Sequence, residues 1–226
     1  MTERKEGRTH WTLRLTVAMF VVLGCWLAAG SPIAAFTVDK NVNSGEPPAE
    51  KLVIFDHKAG HEHIVLKDPA GGCTMSFADD GTIDVPITGN AEIKPTVYWK
   101  PKGDLGETVD LTSCSYLLVR MKLEGDIKRT FDNGKTSSSR PDNLWFGLRL
   151  YDKDGQPAGN VNIASVTDDE KTPAEMVTVK VPAVLLVNTA HGDAKQVAGV
   201  GFYWPKTHDY NDRQCRLVVE RISLAD

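Results

Sequence analysis

Several features that would name a function are missing from this 226-residue sequence. Its 26 basic residues are scattered among 30 acidic ones, so it has no basic stripe of the kind that neutralises nucleic-acid phosphates. It also lacks the GxSxG, P-loop and dinucleotide-binding glycine motifs, and no cysteine lies in a nucleophile motif. The sequence therefore predicts no nucleic-acid partner and no recognised class of enzyme. A carboxylate acid/base pair is assembled by the fold, so catalysis itself stays open.

Long hydrophobic runs are missing as well. The longest covers residues 15–29, whereas a membrane span takes about 20 apolar residues. Arg4, Lys5, Arg8 and Arg14 precede this run, and the small residues of GSPIAAF follow it, a pattern typical of a secretory signal peptide. Residues 1–35 are predicted to be that signal, cleaved after Gly30 or Ala35. An uncleaved anchor helix, the only predicted contact with a membrane, is the alternative. Either places the protein outside the cytoplasm, as a secreted, periplasmic or cell-envelope protein.

Cysteine is scarce: the chain has four, and Cys25 lies in the export segment. The other three are Cys73, Cys114 and Cys215. In an oxidising compartment they allow one disulfide plus one odd thiol, or three free thiols, and the sequence does not select a pair.

The chain beyond the export segment has no sustained 3.6-residue apolar periodicity. Residues 36–50, with Pro47 and Pro48, are predicted to be a linker. From Lys51 onward, short segments rich in β-branched and aromatic residues alternate with turn residues, which predicts one all-β domain over 51–226, an antiparallel two-sheet β-sandwich. The predicted strand segments are 51–57, 61–68, 73–80, 82–88, 96–101, 115–125, 143–152, 176–184, 197–204 and 216–224. ADDGT (78–82) and DKDGQ (152–156) have the Asp-Gly chemistry of tight hairpins, and GKTSSSRPDN (134–143) is predicted to be a loop.

Two stretches resemble a known family. DLTSCSYLLVRMKLEG (110–125) is similar to a segment common in carbohydrate-binding modules with a galactose-binding-like fold. VAGVGFYW (197–204) followed by RLVVERISL (216–224) resembles their closing strands, with Glu220, Arg221 and Ile222 where an acidic-X-Ile ending is frequent. The resemblance implies a sandwich of jelly-roll type that binds sugar on one sheet face or on edge loops. Aromatic rings there stack on the sugar while polar side chains bond its hydroxyls, but no ligand residue of the family transfers to this chain.

Strand alternation selects the candidate ligand residues. In 115–125 the predicted core residues are Leu117, Val119, Met121 and Leu123. In 143–152 they are Leu144, Phe146, Leu148 and Leu150. This leaves Trp145, Arg149 and Tyr151 facing out, which we interpret as a sugar-binding platform of two rings and a cation. If another layer covered this face, the same rings would instead be core.

Two aromatic pairs add further candidates. In Tyr98-Trp99 and in Tyr203-Trp204, alternation sends one ring into the core and the other to the surface. Trp99 and Tyr203 are included as predicted ligand-binding residues.

The stretch DHKAGHEH (56–63) concentrates three histidines. On a strand His61 and His63 would share a face, and His57 would reach them across a predicted hairpin turn at 58–60, giving three ligands for zinc. The pattern is not HExxH, so a solvated polar hairpin is the preferred interpretation and a metal site is the alternative. Asp152, Asp154 and Gly155 resemble the start of a calcium loop whose later acids are missing, so structural calcium is a second alternative. No other cofactor is predicted.

The sequence thus predicts an exported, non-catalytic domain that binds carbohydrate or a glycan-like surface. A structural or protein-interaction module of the cell envelope or of a secreted assembly is the alternative, and it predicts a large exposed apolar patch. A metal-binding protein or metal-dependent enzyme is the third interpretation. The oligomeric state is not determined by the sequence.

Overall fold

The computed structural model describes residues 36–37, 48–139, 146–165, 175–187, 192–208 and 211–226. Its strands in chain order are β1 Phe36–Thr37, β2 Glu50–Asp56, β3 Ile64–Lys67, β4 Ser76–Phe77, β5 Ile83–Gly89, β6 Thr96–Trp99, β7 Tyr116–Thr130, β8 Thr136–Ser139, β9 Phe146–Asp152, β10 Pro157–Ser165, β11 Val177–Pro182, β12 Val197–Tyr203 and β13 Asn211–Ala225. A 3₁₀ turn, Leu111–Ser113, and a short helix, α1 Ala183–Val187, complete the set. Within these ranges, no helix is long and apolar enough to cross a membrane.

The strands form two sheets. The six-stranded sheet has the order β1-β10-β9-β12-β6-β3, and the seven-stranded sheet has the order β11-β7-β13-β5-β4. In the seven-stranded sheet, β2 also pairs with β13 and β8 also pairs with β7, outside this linear order. The pairs in both sheets are antiparallel, apart from the parallel pair β1–β10. The predicted all-β class with two antiparallel sheets is confirmed.

One hydrophobic core joins the inward side chains of both sheets, as in a sandwich. The predicted core residues Leu117, Val119, Met121 and Leu123 of β7 are at most 4% exposed, and so are Phe146, Leu148 and Leu150 of β9. Leu144 lies outside the described residues. Trp204 is fully buried and stacks on Phe146 with ring centroids 5.1 Å apart. Period-two alternation therefore predicted the inward faces of both strands correctly.

Both Asp-Gly hairpins are present. In the β4–β5 turn the Gly81 N–H donates to the Ala78 carbonyl at 2.9 Å, and in the β9–β10 turn the Gly155 N–H donates to the Asp152 carbonyl at 3.0 Å. Gly81 and Gly155 have φ of 82° and 75°, the left-handed conformation that such turns require of one residue.

The predicted hairpin around the three histidines is wrong. β2 belongs to the seven-stranded sheet and β3 to the six-stranded sheet, so residues 57–63 cross from one sheet to the other. The connecting residues Lys58-Ala59-Gly60 lack the Asp-Gly or Asn-Gly pair of a tight hairpin, and alternation alone does not say which sheet a strand joins.

Three further segments differ from the sequence-based expectation. Thr136–Ser139, part of the predicted loop, forms β8 against β7. Phe36–Thr37, within the predicted linker, pairs with β10. Pro157–Ser165 forms β10 beside β9. This strand was not predicted, because its Asn and Gly residues interrupt the apolar alternation.

Candidate functional site

The outer face of the six-stranded sheet carries a group of aromatic and basic side chains. Strand register places Tyr98 of β6 and Tyr151 of β9 on either side of Gly199 in β12. Directly cross-strand residues point to the same side of a sheet, and their neighbours Val97, Val200 and Leu150 face the core. One row further along, Gly201 pairs with Thr96 and with Arg149. We call this surface the tyrosine face; its members are Tyr98, Tyr151, Tyr203, Lys67, Lys94 and Arg149.

Two glycines of β12 make room for the rings. A Cβ on Gly199 would lie 2.7 Å from the Tyr98 ring, and a Cβ on Gly201 would lie 2.8 Å from the Tyr151 ring. Both distances are shorter than carbon atoms tolerate, so each ring lies directly against the backbone of a glycine. The two rings are 6.1 Å apart between centroids and inclined by 44°. The central strand thus supports a pair of neighbouring rings on its outer side.

Three cations lie beside the rings. The Arg149 guanidinium is centred 3.7 Å above the Tyr203 ring, while the Lys94 ammonium lies 6.0 Å from the same ring. Lys67 Nζ is 5.8 Å from the centre of Tyr98. Positive charge over an aromatic face is favourable, by about 0.5–2 kcal/mol. A hydrogen bond to Glu92 holds the pKa of Lys94 above its ordinary value, and burial raises that of Tyr98, so the ammonium stays charged and the phenol neutral at physiological pH.

The predicted ligand residues fall in different places. Arg149 and Tyr203 lie on the tyrosine face and are partly exposed. Tyr151 lies on the same face but is only 7% exposed, because Tyr98 and the β12 backbone cover it. Trp145 lies outside the described residues.

The prediction that Trp99 binds ligand is wrong. It is 5% exposed and belongs to the core, opposite Ile64 of β3, so the outward ring of that pair is Tyr98. The sequence showed that one ring of the pair must face out. Which of the two does so depends on the register of β6 with its neighbouring strands. A usable signal was present in VAGVGFYW: glycines two residues apart on a strand leave space for side chains of neighbouring strands.

The three histidines do not converge. His57 Nδ1 lies 3.2 Å from the Glu220 carbonyl, and His63 Nε2 lies 3.0 Å from the Ile54 carbonyl. His61 instead stacks on Phe77 with centroids 3.8 Å apart. Among the residues that the structure describes, no group of three His, Cys, Asp or Glu side chains is arranged to hold a metal ion.

The Asp152 turn has a structural role. Asp152 Oδ1 accepts hydrogen bonds from the backbone N–H groups of Asp154 at 3.0 Å and Gln156 at 2.8 Å. This carboxylate therefore organises the β9–β10 turn, as expected for a plain hairpin.

Cys73, Cys114 and Cys215 are free thiols. Burial raises the pKa of Cys73 to about 12 and that of Cys215 to about 11, so both stay protonated and unreactive at neutral pH. The Cys215 thiol donates to the Asp126 carbonyl at 3.2 Å. Neither Cys73 nor Cys215 is in the state that a catalytic nucleophile needs.

The outer face of the seven-stranded sheet has a different chemistry. Arg120 binds Glu220 at 2.7 Å, and Arg216 binds Asp84 at 2.6 Å. This face has one aromatic with a cation above it, Tyr116, whose ring lies 3.8 Å from Lys180 Nζ. Arg120 and Arg216 are thus paired with carboxylates, whereas the Arg149 guanidinium of the tyrosine face contacts a ring.

Large apolar side chains that are exposed lie apart. In the described part of the chain they are Val53 on β2, Phe131 after β7 and Val184 on α1. The three residues belong to different elements.

The fold and the tyrosine face together define a class: a two-sheet antiparallel β-sandwich with an aromatic and basic outer surface on one sheet. No protein-family model matches the sequence, and no curated protein matches it. Solved structures do match, among them the family 11 carbohydrate-binding module from Clostridium thermocellum in complex with a β-1,3-1,4-mixed-linked tetrasaccharide. That match has a TM-score of 0.45 and 13% identity, over 80% of this chain and 97% of the module.

Two longer proteins contain a similar part. A β-1,2-glucanase from Parabacteroides distasonis matches with a TM-score of 0.46 and 14% identity, over 78% of this chain and 25% of that one. SGBP-B from a complex xyloglucan utilization locus in Bacteroides uniformis matches with a TM-score of 0.38 and 11% identity, over 86% of this chain and 50% of that one. The likeness in all three cases is one of fold.

Proposed function

We propose that this chain is a glycan-binding domain and that the tyrosine face is its binding surface. The observation that carries the proposal is the pair of rings, Tyr98 and Tyr151, supported on Gly199 and Gly201 beside an arginine. A sugar ring has an apolar C–H face and polar edges, so it pairs with a flat aromatic ring flanked by hydrogen-bond donors. Tyr98 is the more exposed ring and forms the stacking surface, while Tyr151 packs beside it with centroids 6.1 Å apart.

Arg149 supplies the polar contacts in this proposal. Its guanidinium carbon lies 3.7 Å from the centre of the Tyr203 ring, and the side chain donates no hydrogen bond to any residue in the described ranges. Its N–H groups are therefore available to ligand oxygens, and the stacked ring keeps them oriented at little cost in side-chain entropy.

Affinity electrophoresis tests the proposal. The protein is run through native gels that contain a panel of soluble polysaccharides, beside Tyr98→Ala and Tyr116→Ala. Tyr116 is a matched control, since it is also a tyrosine beneath a lysine but lies on the other sheet. We expect at least one polysaccharide to retard the protein, with Tyr98→Ala weakening binding about tenfold and Tyr116→Ala leaving it unchanged. No retardation across the panel, or equal effects of the two substitutions, would contradict the proposal.

We further propose that residues 1–35 direct export, that the domain is non-catalytic, and that the sandwich has the jelly-roll connectivity implied by the sequence resemblance. The support for export is the basic, apolar and small-residue pattern of the N-terminus. N-terminal sequencing of the protein from the culture medium or periplasm should start at Ser31 or Phe36. An intact Met1 on protein recovered from the membrane fraction would support the anchor instead.

A further inference from the structure

Three basic side chains lie on the tyrosine face. Lys67, Lys94 and Arg149 come from three separate segments, and Lys94 alone is paired with a carboxylate, that of Glu92. Within the described ranges, Lys67 and Arg149 contact only aromatic rings with their charged groups. Yet the chain as a whole carries a net charge of −4. The tyrosine face therefore carries these basic side chains on a chain whose net charge is negative.

The acid next to Lys67 in the sequence is already hydrogen-bonded. Asp68 follows it in sequence, but the two oxygens of Asp68 accept backbone N–H groups at 2.8–2.9 Å, from Ala70, Gly72, Cys73 and Lys94. A carboxylate that is saturated by backbone donors shapes the loop after β3 and does not form an ion pair with Lys67. The positive charge of Lys67 is thus left for solvent or for a ligand.

Two arginines of the opposite face offer a comparison with Arg149. On the seven-stranded sheet Arg120 and Arg216 each have a carboxylate partner within 2.7 Å. Arg149 differs from both, because its guanidinium lies 3.7 Å from the centre of the Tyr203 ring and no acid in the described ranges is paired with it. The guanidinium fork matches the two oxygens of a carboxylate, so it can bind an oxyanion through two parallel charge-assisted hydrogen bonds, which a single hydroxyl does not offer.

We propose that the ligand of the tyrosine face is an acidic polysaccharide, whose sugar units carry oxyanions that bind Arg149 and Lys67 while their rings stack on Tyr98. This inference rests on the proposed glycan-binding function and adds the ligand's charge to it. The oxyanion is the carboxylate of a uronate or a sulfate ester; both present oxygens to the same guanidinium. Attraction between the whole molecules does not explain such binding, because the net charge of the protein repels a polyanion.

The test compares matched polysaccharides. Each neutral polysaccharide of the panel is titrated against the full-length protein in three forms: unmodified, oxidised at C6 to the uronate, and partially sulfated on the same backbone. We expect the uronate or the sulfated form to bind about tenfold more tightly than the neutral form on at least one backbone. The form that gains more identifies the oxyanion. Raising the salt from about 50 mM to about 500 mM should abolish most of the difference.

Two variants connect that preference to the site. Arg149→Gln and Lys180→Gln each remove one positive charge, so their effects on net charge are equal. The preference for the charged form should disappear in Arg149→Gln and persist in Lys180→Gln. If the neutral form binds as well as both charged forms on every backbone, or if both variants lower the preference alike, the inference is overturned and glycan binding stands. If no form of any polysaccharide binds, both proposals are overturned.

Discussion

At the scale of single residues, the tyrosine face depends on glycines that contribute no side chain. Gly199 and Gly201 lie on the outward side of β12, where any Cβ would meet a tyrosine ring at less than 3 Å. A rigid ring supported from below loses little entropy when a ligand stacks on it, so the glycines act on binding through the rings.

The substitution Gly199→Ala tests this support. The added methyl must push the Tyr98 ring off the sheet, so we expect polysaccharide binding to weaken about tenfold with a loss of stability of about 1–2 kcal/mol. Titration calorimetry and urea unfolding measure the two effects. Gly106→Ala, in an exposed loop where the methyl makes only one close contact, should leave binding unchanged. Full-strength binding by Gly199→Ala would show that Tyr98 need not lie on the sheet.

A second residue-scale prediction concerns acid stability. Hydrogen bonds from Arg221 and Ser223 hold the pKa of Glu50 below its ordinary value of 4.5, the Arg221 bond being the larger cause. A lowered pKa means that the stabilisation is fully present above about pH 4.5 and is lost as the pH falls through the folded-state pKa. Glu50→Gln should therefore reduce the free energy of unfolding by about 1 kcal/mol at pH 7 and have little effect near pH 3.

Denaturant unfolding at the two pH values measures the effect of Glu50→Gln. Glu107 is exposed, so Glu107→Gln serves as the control and should have no effect at either pH. A loss of stability that is the same at pH 3 as at pH 7 would show that the charge of Glu50 is not what stabilises the fold.

At the scale of elements, β7 and β13 form the longest pairing, fourteen Cα partners from Tyr116–Ala225 to Arg129–Asn211. Gly125 lies within it at φ +100°, and a Cβ there would be 2.1 Å from the Gln214 carbonyl oxygen of β13. The sequence-based strand ended at this glycine, whereas the observed strand continues to Thr130. Gly125 thus permits a close approach of the two backbones in the middle of the pair.

We expect Gly125→Ala to cost about 3 kcal/mol or more, because the methyl collides with backbone that cannot move without breaking the pairing. Gly134 in the β7–β8 turn also has a positive φ, +75°, but open space around the missing Cβ. Gly134→Ala should therefore cost only about 1 kcal/mol, the strain of the left-handed conformation. Urea unfolding of both variants separates collision from strain, and equal losses would argue against the close approach at Gly125.

Some elements could be predicted from the sequence and others could not, and the reason is physical. The core sides of β7 and β9 follow from alternation, since burial selects apolar residues every second position. The two Asp-Gly turns follow from backbone chemistry that is local. The crossing at 57–63 and the strand β10 depend on contacts between distant segments, which no local pattern encodes.

At the scale of the whole molecule, the outer faces of the two sheets differ in the partners of their arginines. Arg120 and Arg216 of one sheet form ion pairs with Glu220 and Asp84, whereas in the described part of the chain Arg149 of the other sheet contacts the ring of Tyr203 and no carboxylate. Sequence alternation predicted an aromatic and a cation on the outer side of β9. It did not predict Tyr98 as the exposed ring, because this assignment needs the register between β6, β9 and β12.

Hydrogen–deuterium exchange with and without the polysaccharide that retards the protein most strongly tests the central claim most directly. Binding on the tyrosine face should slow backbone exchange in β6, β9 and β12, the strands that carry Tyr98, Arg149 and Tyr203. Exchange in β5 and β11 of the other sheet should not change. Protection confined to the seven-stranded sheet, or no protection at a saturating concentration of polysaccharide, would contradict the account.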